Sequence, residues 1–246
     1  MKYRHIFGPI NSRRLGKSLG INLTERKICS MDCIYCEAGA TTELTGIRRE
    51  FFPVTEVFAE LDSYMSGRPE VDFLTYSGTG EPLLYSGFGE VAGYIASHFP
   101  GYRQCLITNS LALADPACAA EAAEVDLIIP SLDGSDDNEF AAVNRPVKGA
   151  GAEATVAALA GFRQKYPDVE MWLEIFIVPG INDSPDSISR FMKHIARIAP
   201  DKVQLNTLDR KGTVDWIKVP PAEILMAMAE KFNSVAPTEI IGKNIK

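Results

Sequence analysis

The chain has 246 residues, of which 46% are hydrophobic and 23% charged, a composition typical of soluble globular proteins. No apolar run approaches the ~18 residues that a membrane-spanning helix needs, and no apolar export signal precedes the first predicted element, so we expect a cytoplasmic protein. A formal net charge of −7 excludes a strong overall attraction to nucleic acid or to an anionic membrane.

Apolar runs alternate with helical periodicity along most of the chain, which is the pattern of repeated βα units and a parallel sheet. In chain order, the sequence predicts strands at residues 20–23, 71–77, 103–108, 126–131, 170–178 and 202–206. Helices are predicted at 55–66, 89–99, 116–123, 151–166, 186–199 and 221–232. The short apolar tail 239–241 is expected to pair with an edge strand. We therefore predict an α/β fold in a single domain, 1–246, whose length suits an α/β barrel.

Three cysteines stand close together after the first predicted strand. Cys29, Cys33 and Cys36 have the spacing C-x3-C-x2-C, and thiolates are soft ligands that select zinc, copper(I) or an iron–sulfur cluster. A structural zinc site needs a second ligand pair, whereas Cys105 and Cys118 lie in apolar runs. A disulfide framework suits small secreted domains. The favoured interpretation is an iron–sulfur cluster on three thiolates, with one iron open to a small chelating molecule.

Polar residues follow each predicted strand, where the loops of a parallel α/β fold converge and bind ligands. The first of these loops holds the cysteines, and the second is the glycine-rich segment 77–82. The later loops contribute Asn109, Ser131, Asp133, Asn182, Asp183 and Asn206. Single residues of these types also form turns and helix caps. Their position beside a cysteine cluster is what indicates a site.

These residues resemble the radical S-adenosylmethionine (radical SAM) superfamily. The cysteine spacing is that superfamily's signature, Tyr35 stands at its aromatic position before the third cysteine, and Gly80-Glu81-Pro82 is similar to its Gly-Glu-Pro segment. The resemblance implies a partial (β/α)6 TIM-like barrel, a [4Fe–4S] cluster on the three cysteines and S-adenosylmethionine on the open iron. It also implies a one-electron reductant such as flavodoxin or ferredoxin. The implied reaction is reductive cleavage to a 5′-deoxyadenosyl radical that abstracts hydrogen from a substrate.

The resemblance further implies which residues contact S-adenosylmethionine. Segment 78–81 would receive its amino group, and Arg145 would pair with its carboxylate through the guanidinium fork. The positions expected at the cofactor are Tyr35, Gly78, Thr79, Gly80, Glu81, Asn109, Ser131, Asp133, Arg145 and Val178. No catalytic acid or base is identified from the sequence.

Within the superfamily, segments 7–21, 75–82 and 180–183 resemble a group of Fe–S oxidoreductases related to the tRNA wyosine synthases. Those synthases carry a second cluster on additional amino-terminal cysteines, and no cysteine precedes Cys29 here. Three alternatives stay open: a tRNA-modifying enzyme, a protein that activates a glycyl radical enzyme and, outside enzymes, a redox-sensing Fe–S module. The substrate, whether small molecule, protein or RNA, is not specified by the sequence.

The basic residues near the cysteines have two competing interpretations. Arg13, Arg14 and Lys17 precede the cysteines, and Arg48 and Arg49 follow them. They either form a positive rim around one opening or pair with acidic residues of the chain.

Four polar residues inside the predicted strands are expected to contribute to a pocket floor, namely Tyr76, Glu174, Gln204 and Asn206. A carboxylate within an apolar strand is costly unless it is paired. We therefore expect Glu174 either to face the cavity or to meet a cation.

Overall fold

The computed structural model describes residues 3–242, which form one large sheet, one small sheet and seven α-helices. The strands are β1 Ile6–Ser12, β2 Gly16–Ile21, β3 Ile28–Cys29, β4 Glu43–Leu44, β5 Phe73–Tyr76, β6 Arg103–Thr108, β7 Leu127–Pro130, β8 Glu170–Phe176, β9 Lys202–Asn206 and β10 Thr238–Ile241. The large sheet has the order β1-β2-β5-β6-β7-β8-β9-β10, and β3 pairs with β4. Only the β1–β2 pair of the large sheet is antiparallel.

Helices alternate with the parallel strands and cover the outer face of the sheet. They are α1 Val54–Met65, α2 Phe88–His98, α3 Pro116–Ala122, α4 Asp137–Asn144, α5 Ala152–Lys165, α6 Pro185–Ile198 and α7 Ala222–Asn233. Two 3₁₀ turns, Pro82–Leu84 and Leu111–Ala114, follow β5 and β6. None of the helices in residues 3–242 is long and apolar enough to cross a membrane.

Five predicted strands are confirmed as β5 to β9, and the predicted tail is confirmed as β10, which pairs in parallel with β9. The predicted strand 20–23 overlaps β2 only at residues 20 and 21, because β2 begins at Gly16. The sequence does not predict β1, because most of its residues are exposed and it contains Gly8 and Pro9 instead of an apolar run. Helix α4 is also missed. It is only eight residues long, and its start is fixed by Asp136, whose carboxylate accepts from the backbone of Asn138 and Glu139 at 3.0 Å.

The two faces of the sheet have different surroundings because successive side chains of a strand point to opposite sides. On the outer face, residues such as Leu74, Leu106 and Leu173 pack with the helices in the main core. On the inner face, Phe73, Cys105, Leu127 and Ile129 pack with Leu15 in a second apolar cluster. Toward the carboxyl ends of the strands, polar inner residues such as Thr75 and Asn206 stand beside apolar ones such as Ile107 and Phe176, so a site of mixed polarity lies above this cluster.

The prediction that Tyr76 contributes to the pocket floor is wrong. Tyr76 points to the outer face, where it is fully buried, packs on Phe88 of α2 at a ring distance of 4.8 Å and donates to the side chain of Gln104. It does not contribute to the pocket floor. The inner residue of β5 is its neighbour Thr75, whose hydroxyl hydrogen-bonds to Ser18 at 2.7 Å.

Candidate functional site

The three cysteines lie in the loop after β2, at the carboxyl end of the parallel strands. Cys29 ends β3, and its carbonyl accepts from the backbone of Thr45 at 3.0 Å. The backbone of Cys36 donates to the carbonyl of Cys33 at 3.2 Å, which closes a turn between the second and third cysteines. All three thiols are free and half-buried. The three cysteines therefore lie partly buried in one ordered loop, and Cys36 lines a cavity.

Distant segments hold this loop in shape through backbone hydrogen bonds. The amide of Ile34 donates to the carbonyl of Val143 at 3.0 Å, and the amide of Asp32 donates to that of Asn144 at 3.0 Å. On the other side, the Thr213 hydroxyl donates to the carbonyl of Ile34 at 2.7 Å. The end of α4 and the segment after β9 thus fix the positions of the cysteines.

Two side-chain amides point at the sulfur atoms. The Nδ2 atom of Asn109 lies 3.4 Å from the Sγ atom of Cys29, and that of Asn144 lies 3.4 Å from the Sγ atom of Cys33. An amide N–H next to sulfur favours the anionic form and tunes the reduction potential of a cluster bound there. The sequence predicts Asn109 at the cofactor. The contacts of the Asn109 and Asn144 amides with cysteine sulfur atoms are seen only in the structure.

Without a metal, Cys29 and Cys33 favour the neutral thiol. Burial, with the charge of Glu81, raises the pKa of Cys29 to about 11. Burial and then the charge of Asp133 raise the pKa of Cys33 well above its ordinary value. Because thiolates are the ligands, binding of iron must release protons from these groups.

The donor set of the loop is compatible with an iron–sulfur cluster. Within residues 3–242, no group of three or more His, Cys, Asp or Glu side chains converges closely enough to hold one metal ion. A cubane cluster does not require this convergence, since each cysteine binds a different iron. Three free, half-buried cysteines in one eight-residue loop, two of them with amide donors at the sulfur, are compatible with such a cluster.

The glycine-rich segment after β5 packs directly on the cysteine loop. A Cβ atom on Gly80 would lie 2.1 Å from the carbonyl oxygen of Ile28, and one on Gly78 would lie 2.5 Å from the Oδ1 atom of Asn22. Gly78 also has φ +139°, a conformation that favours glycine. The hydroxyl of Thr79 lies 2.9 Å from that of Thr24. The segment therefore needs glycine to bring its backbone next to the cysteines.

Glu81 is turned into the protein. It is 3% exposed, and its carboxylate accepts from the Thr108 hydroxyl at 2.7 Å and from the backbone amides of Asn109 at 2.8 Å and Leu83 at 3.1 Å. Burial raises its pKa. The carboxylate thus joins the ends of β5 and β6, and what this segment presents to a ligand is the backbone of residues 78–80.

Asp133 lies in a buried hydrogen-bond network behind the cysteine loop. Its Oδ2 atom accepts from the Tyr35 hydroxyl at 2.5 Å and from the Nδ2 atom of Asn144 at 2.7 Å. Its Oδ1 atom accepts from the backbone of Phe176 at 2.8 Å. Burial raises the pKa of Asp133 to about 6, although these hydrogen bonds oppose the shift. The carboxylate therefore positions Tyr35 and Asn144 from inside the protein.

Tyr35 and Val178 contribute in different ways. The Tyr35 ring stacks on that of Phe176 at 3.9 Å with an angle of 6° between the planes. Val178 is fully buried with Ile34, and its amide donates to the Oδ1 atom of Asn182 at 2.7 Å. Asn182 was expected to form a turn, and its buried side chain fixes the loop after β8.

The remaining expected cofactor positions lie at the edges of this arrangement. Ser131 is partly exposed and forms a parallel bridge with Glu174. Arg145 is 45% exposed, has φ +44° and places its Nη1 atom 3.9 Å from the carboxylate of Asp32. It therefore flanks the cysteine loop on the α4 side.

A cavity of about 520 Å³ opens beside the cysteine loop at the carboxyl ends of the strands. Its lining includes Tyr35, Cys36, Gly78, Phe176, Asn206 and Thr207. An adjoining lobe of about 220 Å³ shares several of its wall residues and continues along the β1–β2 hairpin toward Ser18 and Thr75. Of the expected cofactor positions, Tyr35 and Gly78 line the larger cavity.

Thr207 is a site residue that the sequence does not reveal. It is 3% exposed, lines the cavity, and its Oγ1 atom is buried without a hydrogen-bond partner among the described residues. A buried hydroxyl normally has a partner. The environment of this hydroxyl therefore suits a polar atom of a ligand. In the sequence, the only sign of such a role is the position of Thr207 directly after β9.

The basic residues separate into two groups. Arg13 and Arg14 line the cavity, and Arg14 forms an ion pair with Glu174, which confirms the expectation that this carboxylate meets a cation. Arg48 instead donates to the carbonyl of Leu83 at 2.8 Å and pairs with Glu121.

Arg49 is also used within the protein, since it pairs with Glu43 at 2.5 Å. Neither Arg48 nor Arg49 lines either lobe of the cavity. The interpretation as one positive rim is therefore wrong for these two residues, which stabilise the segment after the cysteines.

The radical SAM superfamily model matches residues 27–192, a span that contains the cysteine loop, the glycine-rich segment and strands β5 to β8. The chain belongs to the radical SAM superfamily. It is an enzyme, and members of this superfamily use a [4Fe–4S] cluster and S-adenosylmethionine.

Two relatives align with nearly the whole chain. A UPF0026 protein of Methanocaldococcus jannaschii is 31% identical over 240 residues, which cover 97% of this chain and 72% of that protein. A protein of Brachyspira hyodysenteriae named GTPase Obg is also 31% identical over 240 residues, which cover 98% of this chain. The matched part is 35% of that second relative, so this chain spans about a third of its length.

Solved structures show the same fold at low sequence identity. A radical SAM methyltransferase from Sphaerobacter thermophilus superposes with a TM-score of 0.68 and 15% identity, over 92% of this chain and 66% of that one. A structure of TYW1 with a lysine-pyruvate adduct superposes with a TM-score of 0.65 and 14% identity, over 89% and 74% of the two chains. The expected partial TIM-like barrel is thereby confirmed.

Proposed function

We propose that this radical SAM enzyme binds a [4Fe–4S] cluster through Cys29, Cys33 and Cys36 and abstracts hydrogen from a substrate held in the adjoining cavity. The observation that carries the proposal is the position of the cysteines. Their loop is anchored at the carboxyl ends of the strands, and Cys36 itself lines the cavity. Cys29, Cys33 and Cys36 would hold such a cluster at the edge of this cavity, and an iron without a protein ligand would be open to a small molecule.

When bound and reduced by one electron, the cluster and S-adenosylmethionine supply a 5′-deoxyadenosyl radical. The residues of the chain hold the reactants in place around it. The amides of Asn109 and Asn144 stabilise the cysteine thiolates, since each lies 3.4 Å from a sulfur atom. The backbone of residues 78–80 presents carbonyl acceptors that suit an ammonium group. Asn206 and Thr207 provide polar atoms for the rest of the cofactor.

The cavity walls also exclude water and adventitious hydrogen donors from the neighbourhood of a radical. Phe7, Ile107, Phe176 and Leu208 give the larger lobe apolar walls. The stacking of Tyr35 on Phe176 fixes one of these walls against the cysteine loop. Together with a bound substrate, these side chains restrict the paths by which the radical is lost.

The test is anaerobic reconstitution with iron and sulfide, followed by reduction in the presence of S-adenosylmethionine. We expect 5′-deoxyadenosine, detected by mass spectrometry, in the wild type and none in Cys33→Ala. Cys118→Ala is the matched control, because it also removes a free cysteine but on α3, away from the site. It should retain both iron and product formation.

Iron content and the electron paramagnetic resonance spectrum of the reduced protein complete the test. A wild type that carries a cluster, but neither changes its spectrum on adding S-adenosylmethionine nor cleaves it, would contradict the proposal. That result would favour a redox-sensing module.

A further inference from the structure

Three arginines face the cavity from two separate segments. Arg13 and Arg14 lie in the turn between β1 and β2, and Arg210 follows β9; all three line both lobes. Each of the three arginines has a carboxylate partner, since Arg13 pairs with Asp209, Arg210 pairs with Glu37 at 2.9 Å and Arg14 pairs with Glu174. The three arginines are therefore balanced in charge, and what they offer a ligand is any N–H group that these pairs leave unused.

Arg14 is held so that part of its guanidinium is left for a ligand. Its side chain is 15% exposed, and its Nη1 atom donates both to Glu174 and to the Oε1 atom of Gln204, the latter at 3.0 Å. Asn206 also donates to Glu174, at 3.2 Å. In residues 3–242, both side-chain hydrogen bonds of Arg14 use Nη1, so Nη2 and Nε are donors without a described partner.

Glu174 does not line either lobe, and it contacts Arg14 from outside the cavity wall. This arrangement fixes the guanidinium plane and leaves its other edge toward the cavity. A guanidinium edge presents two parallel N–H groups, which match a carboxylate or phosphate. The hydroxyl-bearing residues Ser12 and Ser77 line the same lobe and add polar groups for an anion.

The size of the smaller lobe limits the ligand. Its volume is about 220 Å³, and a protein cavity of about 150 Å³ holds benzene. The lobe thus accommodates a small molecule of a few carbon atoms with one or two acidic groups. It adjoins the larger lobe, which Cys36 lines and where the proposed cluster would supply the radical.

We infer that the smaller lobe is the substrate site and that the substrate is a small molecule with a carboxylate or phosphate group bound by Arg14. This inference rests on the proposed function and names the substrate class for the same site. A purely structural Arg14–Glu174 pair makes a different prediction, because neutralising both partners together would then leave anion binding unchanged.

The experiment measures binding by isothermal titration to the reconstituted holoenzyme with S-adenosylmethionine present. The probes are malonate, inorganic phosphate and 1,3-diaminopropane, the last being similar in length to malonate but of opposite charge. The variants are Arg14→Lys and the double variant Arg14→Gln/Glu174→Gln. The double variant removes both buried charges at once, so neither is left unpaired. Arg103→Gln is the control, since Arg103 pairs with Glu170 at 2.9 Å at the amino-terminal ends of the strands.

We expect the wild type and Arg103→Gln to bind an anion with the same affinity and to bind the diamine at least about tenfold more weakly. Loss of a charge-assisted bidentate contact corresponds to about a tenfold rise in Kd or more, so we expect such a rise in Arg14→Lys and no detectable binding in the double variant. Binding of malonate alone identifies the carboxylate as the recognised group, and binding of phosphate alone identifies the phosphate.

The inference is overturned if the diamine binds more tightly than both anions, if neither anion binds, or if the folded double variant binds malonate as the wild type does. Formation of 5′-deoxyadenosine is recorded on the same preparations. Product without anion binding refutes the substrate class and leaves the proposed function intact. Anion binding that depends on Arg14, without formation of 5′-deoxyadenosine, supports the substrate class and contradicts the proposed function.

Discussion

The Tyr35 hydroxyl donates to the Oδ2 atom of Asp133 at 2.5 Å, which connects the cysteine loop to the loop after β7. The same oxygen accepts from Asn144, and Asn144 in turn donates to the sulfur of Cys33. One buried carboxylate therefore orients both an aromatic wall of the cavity and an amide at a cluster ligand.

We predict that Asp133→Asn lowers the free energy of unfolding by about 1–3 kcal/mol. In either orientation, an asparagine amide would place its N–H groups against another donor, because Asp133 accepts on both oxygens. Urea unfolding measures the effect. The matched control is Asp62→Asn, in which the aspartate accepts from a tyrosine, Tyr94, at 2.7 Å on the surface. The control should lose less than about 1 kcal/mol.

Asp133 also predicts a pH dependence of stability. Its pKa in the folded protein is raised to about 6, whereas an unfolded aspartate titrates near pH 3.9. The folded state then binds the proton more tightly, so this group's contribution favours folding below about pH 4 and is lost as the pH rises to about 6. The loss is on the order of 2–3 kcal/mol. Unfolding measured from pH 4 to 7 should show a steeper fall for the wild type than for Asp133→Asn; parallel curves would contradict the assignment.

Substitution of Gly80 tests the contact between the glycine-rich segment and the cysteine loop. In Gly80→Ala the Cβ atom would lie 2.1 Å from the carbonyl of Ile28, so we expect a loss of about 1–3 kcal/mol of stability and a lower iron content after reconstitution. Gly93→Ala is the control, because a Cβ on this α2 glycine has no neighbour within 4 Å. It should gain about 0.5–1 kcal/mol and load iron normally.

Asn144→Ala tests the amide at the cluster ligand. Removing a group that orients a metal ligand typically weakens metal binding by about tenfold or more. We therefore expect the reconstituted variant to lose iron to a chelator about tenfold faster and to have a lower reduction potential. Asn138→Ala changes an exposed asparagine in the same helix. Equal rates of iron loss in both variants would show that the amide at Cys33 has no such role.

Replacing Thr207 by valine is predicted to raise the stability of the ligand-free protein and to weaken the binding of S-adenosylmethionine. Since its buried hydroxyl lacks a partner among the described residues, Thr207→Val should stabilise the ligand-free protein by about 1 kcal/mol. The same change should weaken binding of S-adenosylmethionine, measured by equilibrium dialysis. Thr155→Val is the contrasting control, because the Thr155 hydroxyl donates to Gly151 at 2.9 Å. That variant should lose stability and keep its affinity.

The sequence predicts the parallel strands and the cysteine site well, because both signals are local. Runs of Val, Ile and Leu mark strands covered on both faces, and the three cysteines occupy eight consecutive residues. The direction of a single side chain depends on the strand register instead. Tyr76 was therefore assigned to the wrong face.

The contacts that organise the site were beyond the sequence for a different reason. Arg14 and Glu174 are separated by 160 residues, and Tyr35 and Asp133 by 98. The sequence around each residue does not identify its partner. For Glu174 it therefore predicts a paired cation but does not identify Arg14. In the same way, Asp133 was expected at the cofactor, whereas tertiary packing places it behind Tyr35.

The anchoring of the cysteine loop sets an order for the biogenesis of this enzyme. The loop is complete only when the end of α4 and Thr213 have reached it, and these segments are synthesised more than one hundred residues after the first cysteine. A nascent chain that has just exposed its three thiols therefore presents them without their final geometry. If the cluster binds to this loop as proposed, the protein geometry described here is available to it only after residue 213 has been synthesised.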